Sequence, residues 1–405
     1  MKLSSEPSTE RTHWKTEIVP AAALSAALPL DPLPPVPVRV RQPQHPLARF
    51  HRVRRWSDKL NRRIKKLAGK PDNSPWILDP PGRASGTAYV DFLFGLDYLS
   101  PNASLVKLFQ QAMAPHGLSM LLVNNRNIDR VRRQIERGWL QPFVYLDLSS
   151  ASDKRFEDLM PVAADKGVHV LDDPANLFSW TFKAPGHPRL VQAGLPVPPT
   201  VILPRNSPDR DLTPQELALV GNDCVIKPSI GYANRGVRVG IAPTRQNIAA
   251  ARDFNRNDDW LIQKKITWTR CGNRAGYVRA YYVLGHRSLL WWSRENGHDH
   301  YDLLTWDDLK TYDLLPAVQI VDRIAAASGI DFFCSEIAIT EASGPDRFVL
   351  IDYINDQCDM DPEPRASTTP VPEPWVRWVC SVLADFTWRK KSGLAPAAQR
   401  TLTLF

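Results

Sequence analysis

Apolar residues fall into two rhythms along this chain, and from Tyr89 onward the two take turns. YVDFLFGL is a compact apolar run and reads as a strand, SLVKLFQQAMAPHG repeats its apolar positions at helical spacing and stops at Gly117, and SMLLVNN reads as a second strand. The helix IDRVRRQIERGWLQ and the strand FVYLDLSS follow. This βαβαβ run predicts a parallel sheet, because a crossover helix returns each strand in the same direction. The first strand runs into FGLDYLSPN, which lacks GxGxxG, and this speaks against a Rossmann nucleotide site there. The next piece, GVHVLDDPANLFSWTFKAPGHPRLVQAGLPVPPTVILP, carries a short strand, a helix and a second strand beyond Pro196.

Residues 214 to 265 continue with a helix (TPQELALV), a strand ending in a lysine (CVIKPS), a glycine-bearing loop (IGYANRG), a strand (VRVG), a helix around Gln246 to Arg252, and a strand (WLIQKK). From Gly276, YVRAYYVLG and RSLLWWSR alternate as adjacent antiparallel strands do, about a turn at Gly285 and His286. The helix LPAVQIVDRIAAASG precedes the strands FFCSEIAIT and DRFVLIDYI, joined at GPD. In the last helix, PWVRWVCSVLADFTWRKK, Trp375, Val376, Val379, Leu383 and Phe386 lie near one face, and the basic residues occupy the final turn. That stripe reads as a packing face.

Composition changes this picture only at the start of the chain. A length of 405 residues with 43% hydrophobic and 23% charged residues fits a folded protein of two or three domains. Eight of the 36 prolines, however, lie between Pro20 and Pro46, and residues 39 to 70 hold twelve Lys or Arg against the single acid Asp58. This local balance of +11 exceeds the net charge of +8, so the rest of the chain sums to −3. Val53, Trp56, Leu60, Ile64 and Leu67 recur there at helical spacing and predict a short basic amphipathic helix. A solvated, largely disordered extension fits this composition, as does a surface for an anionic partner. The five cysteines are widely spaced, without CxxC, and read as reduced thiols. No apolar run reaches the roughly 18 residues that span a bilayer, and a cytoplasmic location is expected.

Two segments carry candidate chemistry. In VIKPSIGYANRGVRVG a lysine, Lys227, ends an apolar strand, and Gly231 and Gly236 follow in the loop. Such a hairpin can fold over phosphates, with the ammonium as point charge and the glycines letting backbone N–H groups approach the oxygens. In CSEIAITEASGPDRFVLIDYINDQCDMDP, neighbouring strands present Glu336 and Asp352, with Asn355 at the exit of the second. Two carboxylates and an amide oxygen, completed by substrate phosphates, form the hard-oxygen shell that Mg²⁺ takes.

With these pieces in this order, residues 85 to 365 resemble the ATP-grasp superfamily, the fold of D-alanine:D-alanine ligase, glutathione synthetase and ribosomal-protein glutamate ligases. The resemblance implies an α/β (α+β) fold with an N-terminal βαβαβ parallel-sheet subdomain and a two-lobed nucleotide cleft. It divides the chain into a basic, Pro-rich extension (1–84), an N-terminal α/β domain (85–170), an ATP-grasp domain (171–365) and a C-terminal helix and tail (366–405). ATP and Mg²⁺ are the implied cofactors. Lys183 takes the place of the first nucleotide lysine and Lys227, 44 residues on, the second, with Gly231 to Gly236 as phosphate loop. LIQKKI looks like the adenine hinge, where Gln263 and the backbone of Lys264 to Ile266 would bind the purine. Arg279 resembles the arginine facing the γ-phosphate or acyl phosphate, and Arg294 and Asn296 lie where such enzymes hold the transferred group. Glu336, Asp352 and Asn355 match the metal ligands. Two departures stand out. The family usually has one residue between the metal-binding acid and Asn, whereas two separate Asp352 from Asn355, so either a bulge at Tyr353 or Ile354 restores a common face or Asp356 supplies a ligand. Tyr277 also stands where the family often has an acid.

The implied activity is that of a carboxylate:amine ligase forming an amide or peptide bond between small-molecule substrates. A carboxylate attacks the γ-phosphorus, and an amine then displaces phosphate from the acyl phosphate, with Arg279 on the oxyanion. No GxSxG or Cys/His pattern competes with this reading. A small-molecule kinase of the same fold and a non-catalytic adaptor binding a polyanion are the alternatives; the retained lysines and acids speak against the adaptor. Removing residues 1 to 80 is expected to leave the folded body and its ATP turnover largely intact, which melting temperature and ADP release of truncated and full-length chains will check.

Overall fold

A computed structural model describes residues 87–97, 103–231, 234–295, 298–363, 369–395 and 401–405. The basic segment 39–70 and the helix expected at Val53 to Leu67 lie outside the described residues. The first described elements are β1 (Ala88–Gly95), α1 (Ala103–Met113), β2 (Met120–Val123), α2 (Ile128–Glu136), β3 (Leu140–Asp147), α3 (Lys154–Asp165) and β4 (His169–Leu171). They build the expected parallel sheet, in the order β2-β1-β3-β4. β1 is buried from Val90 to Gly95 because helices cover both faces, hence an apolar run that only Asp91 interrupts. Gly117, left-handed at φ +61°, ends the turn after α1 where the sequence places the stop.

Helices α4 (Pro174–Thr181) and α5 (Lys183–Gln192) lead into a second layer of β5 (Thr200–Leu203), α6 (Pro214–Val220), β6 (Cys224–Pro228), β7 (Arg238–Ile241), α7 (Arg245–Arg252) and β8 (Trp260–Lys264). These strands pair antiparallel in the order β5-β8-β6-β7. A small hairpin, β9 (Arg270–Cys271) and β10 (Arg274–Ala275), precedes the largest sheet. There β11 (Tyr277–Val283), β12 (His286–Glu295), β13 (His298–Leu303), β14 (Phe332–Ile339) and β15 (Phe348–Asn355) run in the order β13-β12-β11-β14-β15. Helices α8 (Trp306–Thr311) and α9 (Leu315–Ser328) fall between β13 and β14; α10 (Glu373–Lys391) and β16 (Leu402–Thr403) come last, β16 pairing with β12.

The sequence reading has no element between Asn296 and Tyr312, yet β13 and α8 lie there. HDHYDL offers one buried aromatic, Tyr301, among polar residues, and α8 is six residues long. Tertiary pairing with β12 makes the strand, and the capping box of Thr305 and Asp308 starts the helix.

The two faces of the large sheet serve two cores. Val278, Ala280, Tyr282, Leu289, Phe333 and Ile337 pack with Val318, Val321 and Ile324 of α9. On the other face, Tyr281, Leu290 and Phe332 meet Trp375, Val376, Val379 and Leu383 of α10, which also packs with Phe92 and Phe94 of β1 and Phe109 of α1. The apolar stripe of α10 is thus a packing face. All five cysteines are buried and free, and among the described residues no helix is long and apolar enough to cross a membrane. Trp375 is fully buried, its ring centroid 4.2 Å from that of Tyr281. Trp375→Ala is therefore expected to lower unfolding free energy by about 3–5 kcal/mol in denaturant titrations, whereas Leu394→Ala at an exposed position changes it by less than about 0.5 kcal/mol.

Candidate functional site

Two sheets supply the candidate residues, the four-stranded one Lys227 and Gln263, the large one Arg279, Glu336, Asp352 and Asn355. Across β14 and β15, Glu336 stands opposite Asp352 and Cys334 opposite Asn355. Two steps along β14 thus match three steps along β15. The extra residue is the bulge that the Asp352–Asn355 spacing calls for, with Tyr353 and Ile354 both buried beside each other. Because Cys334 and Glu336 share a face, their partners Asn355 and Asp352 share it as well. A second irregularity, between Glu336 and Ile337, leaves Ile351 out of the ladder. Its carbonyl accepts from Lys227 Nζ at 2.8 Å.

Lys183 begins α5, and α5 is pinned to the loop after β6: the Lys183 amide donates to the Ser229 carbonyl at 3.0 Å and the Ala184 amide to Ser229 Oγ at 2.9 Å. Gly186 lets α5 lie against α4, since a Cβ there would sit 2.5 Å from the Trp180 carbonyl oxygen. This brings Lys183 Nζ within 3.4 Å, and Lys227 Nζ within 3.9 Å, of the same oxygen, Asp352 Oδ1. That oxygen is buried and makes no hydrogen bond. Burial alone would raise the Asp352 carboxyl, but Lys183 and Lys227 outweigh it and hold the group below its usual range. Lys227 is 4% exposed, and burial pushes it down to about 8 against the pull of Asp352.

Arg279 is buried beside this group. One guanidinium nitrogen donates to Glu336 and the other to the Tyr301 hydroxyl, and the cation lies 4.9 Å from the Trp292 ring centroid and 5.2 Å from that of Tyr301. Arg294 lies farther along β12 in an ion pair with Asp299 at 3.0 Å. Asn296 lies outside the described residues. In the loop after β6, Gly231 gives its carbonyl to Lys183 Nζ at 3.4 Å. Gly236 has φ +78°, and a Cβ there would meet the Phe254 ring at 2.6 Å, so glycine is required for both reasons. Gln263 is buried and donates to Thr200 Oγ1 and Tyr353 Oη. Lys264 spends its amide N–H on the Pro199 carbonyl at 2.8 Å, which removes that donor from any base, and Ile266 beyond it is half-buried.

No family model and no curated protein matches the sequence. Solved structures match in shape: an ATP-grasp RimK domain protein from Sphaerobacter thermophilus aligns with a TM-score of 0.51 at 17% identity, over 73% of this chain and 98% of that one. The chain has the ATP-grasp fold. An ATP-grasp ligase, PsnB, complexed with minimal precursor, Mg and ADP (TM-score 0.47, 16% identity, 75% of this chain and 98% of that one), and a D-alanine–D-alanine ligase from Bacillus anthracis complexed with ATP (0.49, 12%, 75% and 99%) are also similar.

Within this ATP-grasp fold the donor set suits a hard cation. Among the described residues no three of His, Cys, Asp or Glu gather as a metal cage. The candidate shell is two carboxylates and one amide oxygen, sparse enough to leave room for phosphate oxygens, and Asp352 Oδ1 is a buried oxygen that only the ammonium groups of Lys183 and Lys227 are seen to approach, at 3.4 and 3.9 Å, among the described residues. Asp356 follows with its carboxyl pushed up to about 6 by burial. Sequence reasoning missed Thr200, His187, Tyr301 and Tyr353, which act only as partners of other side chains; the one available signal was a tyrosine inside IDYIND. Lys227 carries a measurable cost. Its folded-state pKa lies below that of an unfolded lysine, so its destabilising effect is full below about pH 8 and is relieved as pH rises toward about 10.4. Lys227→Met is expected to unfold at higher denaturant than wild type at pH 7, with the gap closing between about pH 8 and 10.4.

Proposed function

We propose that the protein is an ATP-dependent ligase joining a small-molecule carboxylate to an amine through an acyl phosphate. The observation that carries this reading is the convergence of Lys183 and Lys227 on Asp352 Oδ1, at 3.4 and 3.9 Å, inside an ATP-grasp fold. Two cations and one carboxylate leave positive charge unmatched in a place where water is scarce, and a triphosphate supplies what is lacking. Lys183 and Lys227 would bind the phosphates, with the backbone around Gly231 and Gly236 closing over them. Glu336, Asp352 and the amide oxygen of Asn355 would hold Mg²⁺, which when bound neutralises phosphate charge. Arg279 is fixed in direction by Glu336 and Tyr301, so its cation needs no reorganisation to stabilise the oxyanion as the amine attacks and phosphate departs.

Incubation with ATP, Mg²⁺ and pooled amino acids and dipeptides is expected to release ADP and free phosphate only when both an acid and an amine are present. ADP release without an amine, with phosphate found on the acceptor, would instead assign a kinase. Asp352→Asn is expected to lower turnover by about a hundredfold or more with the melting temperature little changed, because it takes one charge from the site at almost constant volume. Equal activity per folded molecule would make Asp352 structural only. Lys183→Ala and Lys227→Ala are each expected to weaken binding of a non-hydrolysable ATP analogue in calorimetric titration, and unchanged affinity in both would remove the cleft assignment.

A further inference from the structure

The acid-rich run after β15 is built as a series of turns. In each, a side-chain oxygen accepts the amide two residues on: Asn355 Oδ1 from Gln357 at 3.1 Å, Asp359 Oδ1 from Asp361 at 3.2 Å, and Asp361 Oδ1 from Glu363 at 3.0 Å. The first turn contains the amide oxygen of the candidate metal shell. A backbone N–H can only donate, so the Gln357 amide faces the oxygen of Asn355 and not its NH₂ group. This decides which end of the Asn355 side chain is the acceptor, and the second lone pair of that oxygen remains for a cation.

Gln357 is itself held from the other side of the molecule. Its Oε1 accepts the Ala151 amide at 3.2 Å, and its Nε2 donates to Ser150 Oγ, 207 positions back along the chain. Ser150 and Ala151 follow β3, at the carboxyl end of the parallel sheet. Their loop is fixed in turn to the strand ends: the Asp147 carboxylate accepts the Ser149 and Ser150 amides at 2.9 and 3.2 Å, and Ser152 Oγ donates to Asp97 at 2.6 Å.

We infer that Gln357 is a positioning residue that ties the Asn355 oxygen to the loop at the carboxyl end of the parallel sheet, so that the cation is held at full strength only while the two sheets are latched together. The inference rests on the nucleotide-cleft reading above and adds to it a residue outside the metal shell. Partners behind a metal ligand fix its orientation, and losing one typically costs ten- to a hundredfold in metal affinity. Parallel α/β sheets take ligands in the crevice outside the carboxyl ends of their strands, so the latch joins the rim of that crevice to the metal shell.

The test is calorimetric titration of a non-hydrolysable ATP analogue in Mg²⁺ and in EDTA, the ratio of the two affinities giving what the cation adds. Wild type is expected to bind more tightly in Mg²⁺. Gln357→Leu is close in volume, removes both side-chain bonds and keeps the backbone amide. It is expected to reduce the ratio about tenfold with affinity in EDTA unchanged. Ser150→Ala cuts one of the two bonds and is expected to shift the ratio the same way by less, and the double variant to match Gln357→Leu, since both changes break one latch. A merely structural role weakens binding equally in both conditions. An unchanged ratio in Gln357→Leu, or in Ser150→Ala should the former not fold, overturns the inference alone. Wild type that binds equally in Mg²⁺ and EDTA removes the metal shell and the inference together, and wild type that binds in neither removes the cleft reading with them.

Discussion

Two ammonium groups crowd one carboxylate oxygen, and much of the local architecture exists to keep them there. At about 4 Å and an effective dielectric near 20, one such pair is worth roughly 4 kcal/mol before the cost of taking the charges out of water is counted. Each of the three residues comes from a different kind of support. Lys227 ends a strand in the middle of its sheet, Lys183 opens a helix tethered to Ser229, and Asp352 sits on a strand at the edge of the large sheet. The charge group is therefore a joint between the two sheets, and it holds only while both sheets keep their registers.

The irregularity of β15 serves two ends at once. A regular strand would send Asp352 and Tyr353 to opposite faces. With the bulge, Asp352 meets the lysines while Tyr353 reaches His187 and Gln263. The second irregularity releases the Ile351 carbonyl from the ladder for Lys227. One strand thus addresses the charge group and Gln263 through consecutive residues.

Much of this was legible in the sequence, for physical reasons. The βαβαβ run follows from helical and strand periodicities, and the lysine-then-glycine segment and the acid inside an apolar strand are local anomalies that pattern alone exposes. Even the bulge could be anticipated, since two residues between Asp352 and Asn355 violate the alternation of a flat strand. What could not be read were the partners. Tyr301 lies on a strand with almost no apolar signal, and the Thr200, His187 and Tyr353 hydrogen bonds join positions up to 166 residues apart through side chains of ordinary type. Such contacts are set by how the sheets meet.

One more consequence follows from where α10 lies. The helix formed by residues 373–391 covers Phe92 and Phe94 on the first described strand, together with Phe109 on the helix after it. During synthesis the parallel sheet, complete at Leu171, would wait for about two hundred further residues before the helix that begins at Glu373 arrived. Until then it presents an aromatic surface to the surroundings, the kind of intermediate that chaperones hold. A helix made late is thus the one that lets a sheet made about two hundred residues earlier finish folding.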